Sequence, residues 1–297
     1  MLPDDRQAVT AARARVAFRL TGDAQPLLLL PVQVNDRGPF QFVLDTGAGT
    51  TLLAPALARS LGVQSTGTRQ GQTAGGAVDV SLAAVDSLGV GALRRAKLDV
   101  AILDLSRISQ AIGTPLDGDL GYNFLKDSRL TIDFQTAEVR LDDPKRCEHF
   151  GPGPLVERPM QLAHLAKPLI LVEVHLNERG PFQFAVDTGT STTTLSPWLA
   201  RDLDLCAHPI GTVTTGGAPI AIKAARLGAL RVGQAAVHDL AVLIGEFLEM
   251  LSQAIGKRLD GIVGYNFLRN FRVAIDYPNE SFALFAAERD ARPGSPA

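Results

Sequence analysis

The sequence predicts a mainly β fold of two similar lobes, related by a pseudo-twofold axis and carrying one or two short helices each. Three observations predict it. The chain of 297 residues repeats itself, since NDRGPFQFVLDTGAGTTLL (35–53) and NERGPFQFAVDTGTSTTTL (177–195) agree at 13 of 19 positions. A second block, SQAIGTPLDGDLGYNFL (109–125), matches SQAIGKRLDGIVGYNFL (252–268) at 13 of 17. The copies lie 142 to 143 residues apart, far too long a period for a solenoid, so each copy closes a body of its own. Finally, the apolar runs are short and are punctuated by Gly, Pro and Asn, as strands are.

The elements follow in the same order in both halves. LLLLPVQV (27–34) turns at Asn-Asp-Arg-Gly into PFQFVL (39–44), and LILVEVHL (169–176) turns at Asn-Glu-Arg-Gly into PFQFAV (181–186). Both read as hairpins. Pro55 and Pro197 suit the first turn of short helices over PALARSL and PWLARDL. RLTIDF with AEVRL, and RVAIDY with SFALF, close each half as a further hairpin. The expected division is an N-terminal segment 1–23, a first lobe 24–142, a linker 143–165, a second lobe 166–286 and a tail 287–297. The linker is assigned from its Pro, Gly and charge content.

Bulk properties narrow the function. A net charge of −2 and a pI near 6.2 give no basic surface for nucleic acid or anionic membrane. No run approaches the roughly 20 apolar residues of a membrane span. The start MLPDDRQAVTAARARVAFRL lacks the apolar core of a secretory signal. A cytoplasmic location is the default expectation, with a periplasmic or secreted one left open. Cys147 and Cys206 are too few for a disulfide framework, and whether they pair is open. Each lies in a Cys-x-His pair, with His149 and His208, but the ligand spacing of a zinc site is missing. No metal or cofactor is expected.

The chemistry points to two turns. Asp45-Thr46-Gly47 and Asp187-Thr188-Gly189 each follow the end of an apolar strand. The Gly lets backbone N–H groups approach the carboxylate, and the Thr hydroxyl can reach the partner loop. If the halves pack about a twofold axis, the carboxyls share one site and one proton, which supplies an acid and a base together.

With these turns, a Gly-rich segment downstream, and an apolar-apolar-Gly turn before a short helix (Leu120-Gly121-Tyr122-Asn123-Phe124-Leu125 and Ile262-Val263-Gly264-Tyr265-Asn266-Phe267-Leu268), the chain resembles the pepsin and retroviral aspartic protease superfamily, in particular its bacterial retropepsin-like members. The resemblance covers about residues 24–142 and 166–286. It implies two acid-protease β-barrel lobes in a single-chain pseudo-dimer. It implies an aspartic endopeptidase with Asp45 and Asp187 as catalytic carboxylates, supported by Thr46, Gly47, Ala48, Thr188, Gly189 and Thr190. A peptide or protein is the expected partner, and a monomer is favoured over a homodimer that pairs each half with a second chain. Two other readings stand beside it: a non-catalytic peptide-binding protein, and a self-processing or regulatory protease with one target.

Three features are specific to this chain. A hydroxyl three residues after the Asp bonds its carboxylate in this family; here Thr190 has one and Ala48 does not. That asymmetry assigns the negative charge to Asp187 and the shared proton to Asp45. Gly75, Gly76, Gly216 and Gly217 mark substrate-binding flaps of the retroviral kind, the plainer reading being surface hairpins. Asp119 stands where the family and the second half (Ile262) have an apolar residue in the cleft wall. It is read either as an acidic subsite or as a solvated turn residue.

Overall fold

The computed structural model of the protein describes residues 14–73, 76–143, 153–164, 167–213 and 219–287. It is mainly β, in two lobes of matching topology. Each lobe is built on an eight-stranded sheet whose order is the same in both halves. Each sheet curls back on itself, because the first long strand (Leu28–Val34 or Lys167–Leu176) also pairs with a later one (Gly76–Val90 or Ile220–Val232). The barrel interior is filled by alternate residues such as Leu30, Phe42 and Leu44, and by Phe184 and Val186 in the other lobe.

The hairpins form where the sequence places them. Asn35 and Asp36, like Asn177 and Glu178, have φ between 47° and 67°, as a two-residue turn matched to strand twist requires. The Asn35 carboxamide oxygen then accepts the Ser87 N–H at 3.1 Å, and that of Asn177 accepts the Ala229 N–H at 2.9 Å. These side chains pin the turns to the next layer. Pro55 and Pro197 open the helices Pro55–Leu61 and Pro197–Asp202.

A six-stranded sheet joins the lobes. Its centre pairs Arg129–Asp133 antiparallel with Phe271–Asp276. Thr131 stands opposite Ala274, its own counterpart 143 residues on, so the pseudo-twofold axis passes through this pair. Leu130, Ile132, Val273 and Ile275 from this sheet belong to one core cluster that runs through both lobes. The lobes therefore share a core.

Short strands also form at 14–20 and 156–164, within the expected N-terminal segment and linker. The N-terminal segment contributes Ala14–Ala17 to the inter-lobe sheet and Arg19–Leu20 to the first barrel. The expected linker contributes Val156–Pro159 and Gln161–His164 in the matching places of the second half. Val16 and Val156 lie against Gly91 and Gly233, each close enough to meet a Cβ there at 2.7 to 2.8 Å. Strands this short show no periodicity of their own; they form because sheet edges need covering.

No helix among the described residues is long and apolar enough to cross a membrane.

Candidate active site

Asp45 and Asp187 follow directly on the strands Arg37–Leu44 and Arg179–Val186. Each strand end is held by a parallel neighbour, Gly118–Leu120 in one lobe and Gly261–Val263 in the other. The Asp45 N–H bonds the Leu120 carbonyl at 3.2 Å, and the Asp187 N–H bonds that of Val263 at 3.1 Å. Both carboxyls thus stand on rigid sheet.

The turns interlock across the axis. The Thr46 N–H donates to Thr188 Oγ1 and the Thr188 N–H to Thr46 Oγ1, both at 3.1 Å. Each hydroxyl passes on a bond to the opposite strand, Thr188 to the Leu44 carbonyl at 2.7 Å and Thr46 to that of Val186 at 3.3 Å. Both threonines are fully buried, so no water competes for these bonds.

Glycine at 47 and 189 is needed for this approach. A Cβ on Gly47 would lie 2.7 Å from the Asp187 carboxyl carbon, and one on Gly189 would lie 2.5 Å from that of Asp45. Each carboxyl therefore rests against the opposite loop's backbone, and the two lie within hydrogen-bonding reach of each other. The Gly47 and Ala48 N–H groups donate to Asp45 Oδ1 at 2.7 and 2.9 Å. Asp187 receives the Gly189 N–H on Oδ1 at 2.8 Å and the Thr190 hydroxyl on Oδ2 at 2.8 Å. Burial pushes both carboxyls well above the ordinary aspartate range, and the charge of neighbouring carboxyls adds to it. A pair arranged in this way keeps a proton that isolated aspartates would lose.

A family of proteins shares this plan. The family model for aspartyl proteases matches residues 30–124 and again 172–267. The chain belongs to the aspartyl protease family. As a member it carries the family's unit twice, which accounts for a complete pair of Asp-Thr-Gly turns in one polypeptide. No curated protein matches the chain significantly.

Other expected positions divide. Gly76 opens the strand Gly76–Val90 with φ at 103°, opposite Thr73 in the hairpin with Gly67–Thr73. Gly75, Gly216 and Gly217 lie outside the described residues, so the flap tips do too. Cys206 is exposed, its Sγ 3.5 Å from His208 Nε2, while Cys147 and His149 lie outside the described residues. Ile262 is buried in an apolar cluster with Leu169, Leu171 and Ala185. Its counterpart Asp119 lies in strand rather than turn, half-buried, with Oδ1 fully buried.

Sequence reasoning missed one pair of residues that shapes the site. Asn123 Oδ1 accepts both the N–H and the hydroxyl of Thr51 at 2.8 Å, and Asn266 does the same for Thr193. The two hydroxyl oxygens accept the Gly121 and Gly264 N–H groups at 3.2 Å. These bonds tie the loop after each Asp to the apolar-apolar-Gly turn. The signal was present, since Thr51, Asn123 and their counterparts are identical in the two repeats.

Proposed function

We propose that the chain is an aspartic endopeptidase that cleaves peptide bonds with a water molecule activated between Asp45 and Asp187. One observation carries this reading: two half-buried carboxyls, each within hydrogen-bonding reach of the other, pressed against each other's glycine across the pseudo-twofold axis.

In this reading the ionised carboxylate takes a proton from the water as its oxygen attacks the peptide carbonyl carbon. The protonated carboxyl gives its proton to the carbonyl oxygen, and a neutral gem-diol forms. Collapse of the diol returns a proton to the dyad, the amide nitrogen is protonated, and the C–N bond breaks. Acid and base exchange roles, so the pair ends as it began. Thr190 favours the ionised form of Asp187, which makes Asp187 the base and Asp45 the acid. Both turns come from one chain, so a monomer suffices. The substrate is an extended peptide, held by backbone hydrogen bonds with side chains in alternating pockets.

The test is cleavage of a peptide library from about pH 3 to pH 8 by the wild type, Asp45→Asn and Asp187→Asn. Loss of turnover in both variants is expected. Turnover surviving in either one rejects the dyad, and a wild type that binds peptides without cutting them favours a binding protein instead.

A further inference from the structure

Asp119 breaks the symmetry of the site. Its strand neighbours Gly118 and Leu120 face the barrel core, where Leu120 is fully buried and a Cβ on Gly118 would meet the Phe42 ring at 2.3 Å. By alternation Asp119 faces the other way. The parallel pairing sets Asp119 beside Val43, two residues before Asp45 and therefore on the same face. Its carboxyl comes within hydrogen-bonding reach of Asp45, while its Oδ1 is buried and takes no hydrogen bond. In the second lobe the same place is filled by Ile262, packed into an apolar cluster. The first lobe has a matching cluster, built from Leu27, Leu29, Val43, Leu105, Ile112 and Leu116, but an acid stands at its edge.

We propose that Asp119 is a positioning residue of the dyad: its carboxyl, beside Asp45 on the same sheet face, keeps the shared proton on Asp45 and leaves the charge on Asp187. This rests on the dyad reading above.

The physical argument is one of charge in a closed space. Three adjacent carboxyls in a half-buried site do not ionise together, because each new charge is repelled by the last and is poorly solvated. Each carboxyl of the dyad accepts two hydrogen bonds, Asp45 from the Gly47 and Ala48 N–H groups and Asp187 from the Gly189 N–H and the Thr190 hydroxyl, so the choice falls to Asp119, which stands beside Asp45 and leaves the charge to Asp187. Asp45 and Asp119 are left to share a proton, with Asp45 donating to an Asp119 oxygen. Burial and then the Asp119 charge raise the Asp45 carboxyl, and burial also raises Asp119. The titratable groups facing Asp119 are Asp45 and Asp187; Tyr277, beyond the strand Phe271–Asp276, senses the Asp45 charge from the inter-lobe sheet. Arg107, on the helix Ser106–Ile112, acts on Asp104, and Asp117 accepts the Gln41 N–H at 2.8 Å. The protons leave as steps of the whole set. Asp119 is thus a reserve that keeps Asp45 protonated as the pH rises toward neutral.

The experiment compares Asp119→Asn, Asp119→Ile and Asp119→Glu with the wild type. Isoleucine restores the residue that the second lobe carries, so it should fold. In peptide cleavage, the basic limb of the pH–rate profile should fall by about one pH unit or more in the Asn and Ile variants. The acid limb, set by Asp187, should stay, and Asp119→Glu should recover part of the basic limb. A basic limb that does not move in either neutral variant overturns the proposal, as does an acid limb that moves equally.

The second readout needs no turnover: the Asp45 carboxyl is titrated by carbon NMR in aspartate-labelled protein. Asp187→Asn should shift that titration if the dyad is real, and Asp119→Ile should lower it. A shift with the first and none with the second rejects the role of Asp119 alone. No shift with Asp187→Asn rejects the dyad itself.

Discussion

Thr46 and Thr188 exchange hydrogen bonds across the pseudo-twofold axis, each N–H donating to the other's hydroxyl at 3.1 Å. The bonds join residues 142 apart in the chain, and they fix the distance between the two candidate carboxyls. Thr188→Ala removes the donor to Leu44 and leaves the Thr46 N–H buried without its acceptor. The expected cost is about 2–3 kcal/mol of stability, from one lost bond and one stranded polar group. Chemical denaturation with peptide cleavage checks this, and turnover should fall further than the loss of folded protein explains.

Thr190 gives the site its polarity. Its hydroxyl donates to Asp187 Oδ2 at 2.8 Å, while Ala48 offers Asp45 only its N–H. A hydrogen bond to an ionised group is worth more than one to a neutral group, so Thr190→Ala makes Asp187 easier to protonate. The acid limb of the rate profile should rise by about one pH unit. An unmoved acid limb would show that the charge rests elsewhere.

The same carboxyls cost stability. Folding raises the Asp45 carboxyl to about 8, so the native state keeps a proton that the unfolded chain loses above the ordinary aspartate value. Stability must then fall as pH rises from about 4 toward 8. Asp45→Asn removes one of the repelling groups. It should be more stable than the wild type at about pH 8, by about 1 kcal/mol or more, and the gap should close near pH 4. Denaturation midpoints at the two pH values give the comparison.

Asp133 and Arg272 act with the opposite sign. Arg272 Nε donates to Asp133 Oδ2 at 2.9 Å across the lobe boundary, with both side chains only 13% exposed. Burial alone would raise Asp133, but the Thr136 and Gln135 N–H groups and the Arg272 charge outweigh it and hold the carboxyl below the usual range. Its contribution is therefore present above about pH 4 and is lost as the pH falls through the lowered value. Asp133→Ala leaves Arg272 without this partner and should cost about 3 kcal/mol near neutral pH, less in acid. Equal losses at both pH values would count against an electrostatic origin.

The aromatic contacts at this boundary follow the same symmetry. Tyr122 packs edge-on against Tyr277 at 5.5 Å, and Tyr265 against Phe134 at 5.7 Å. Tyr122 and Tyr265 each open a short helix of one lobe and rest on the closing strand region of the other. Both partners lie across the axis, where no pattern in the sequence marks them.

What could be read from the sequence was local or repeated. Asn35-Asp36 and Asn177-Glu178 announce turns because few residues tolerate positive φ. Pro55 and Pro197 announce helix starts because their missing N–H is unneeded there. The two Asp-Thr-Gly turns were plain because duplication writes them twice.

What the tertiary structure decided depends on residues that meet only after the chain has folded. Asp119 reaches Asp45 through a parallel pairing between strands more than 70 positions apart, and one register step would turn it to the other face. The bonds from Thr51 to Asn123, and the strands at 14–20 and 156–164, likewise arise from edges and turns that other segments create. Composition and periodicity describe each stretch against its immediate neighbours. A third carboxyl beside a pair is a property of the packed sheet.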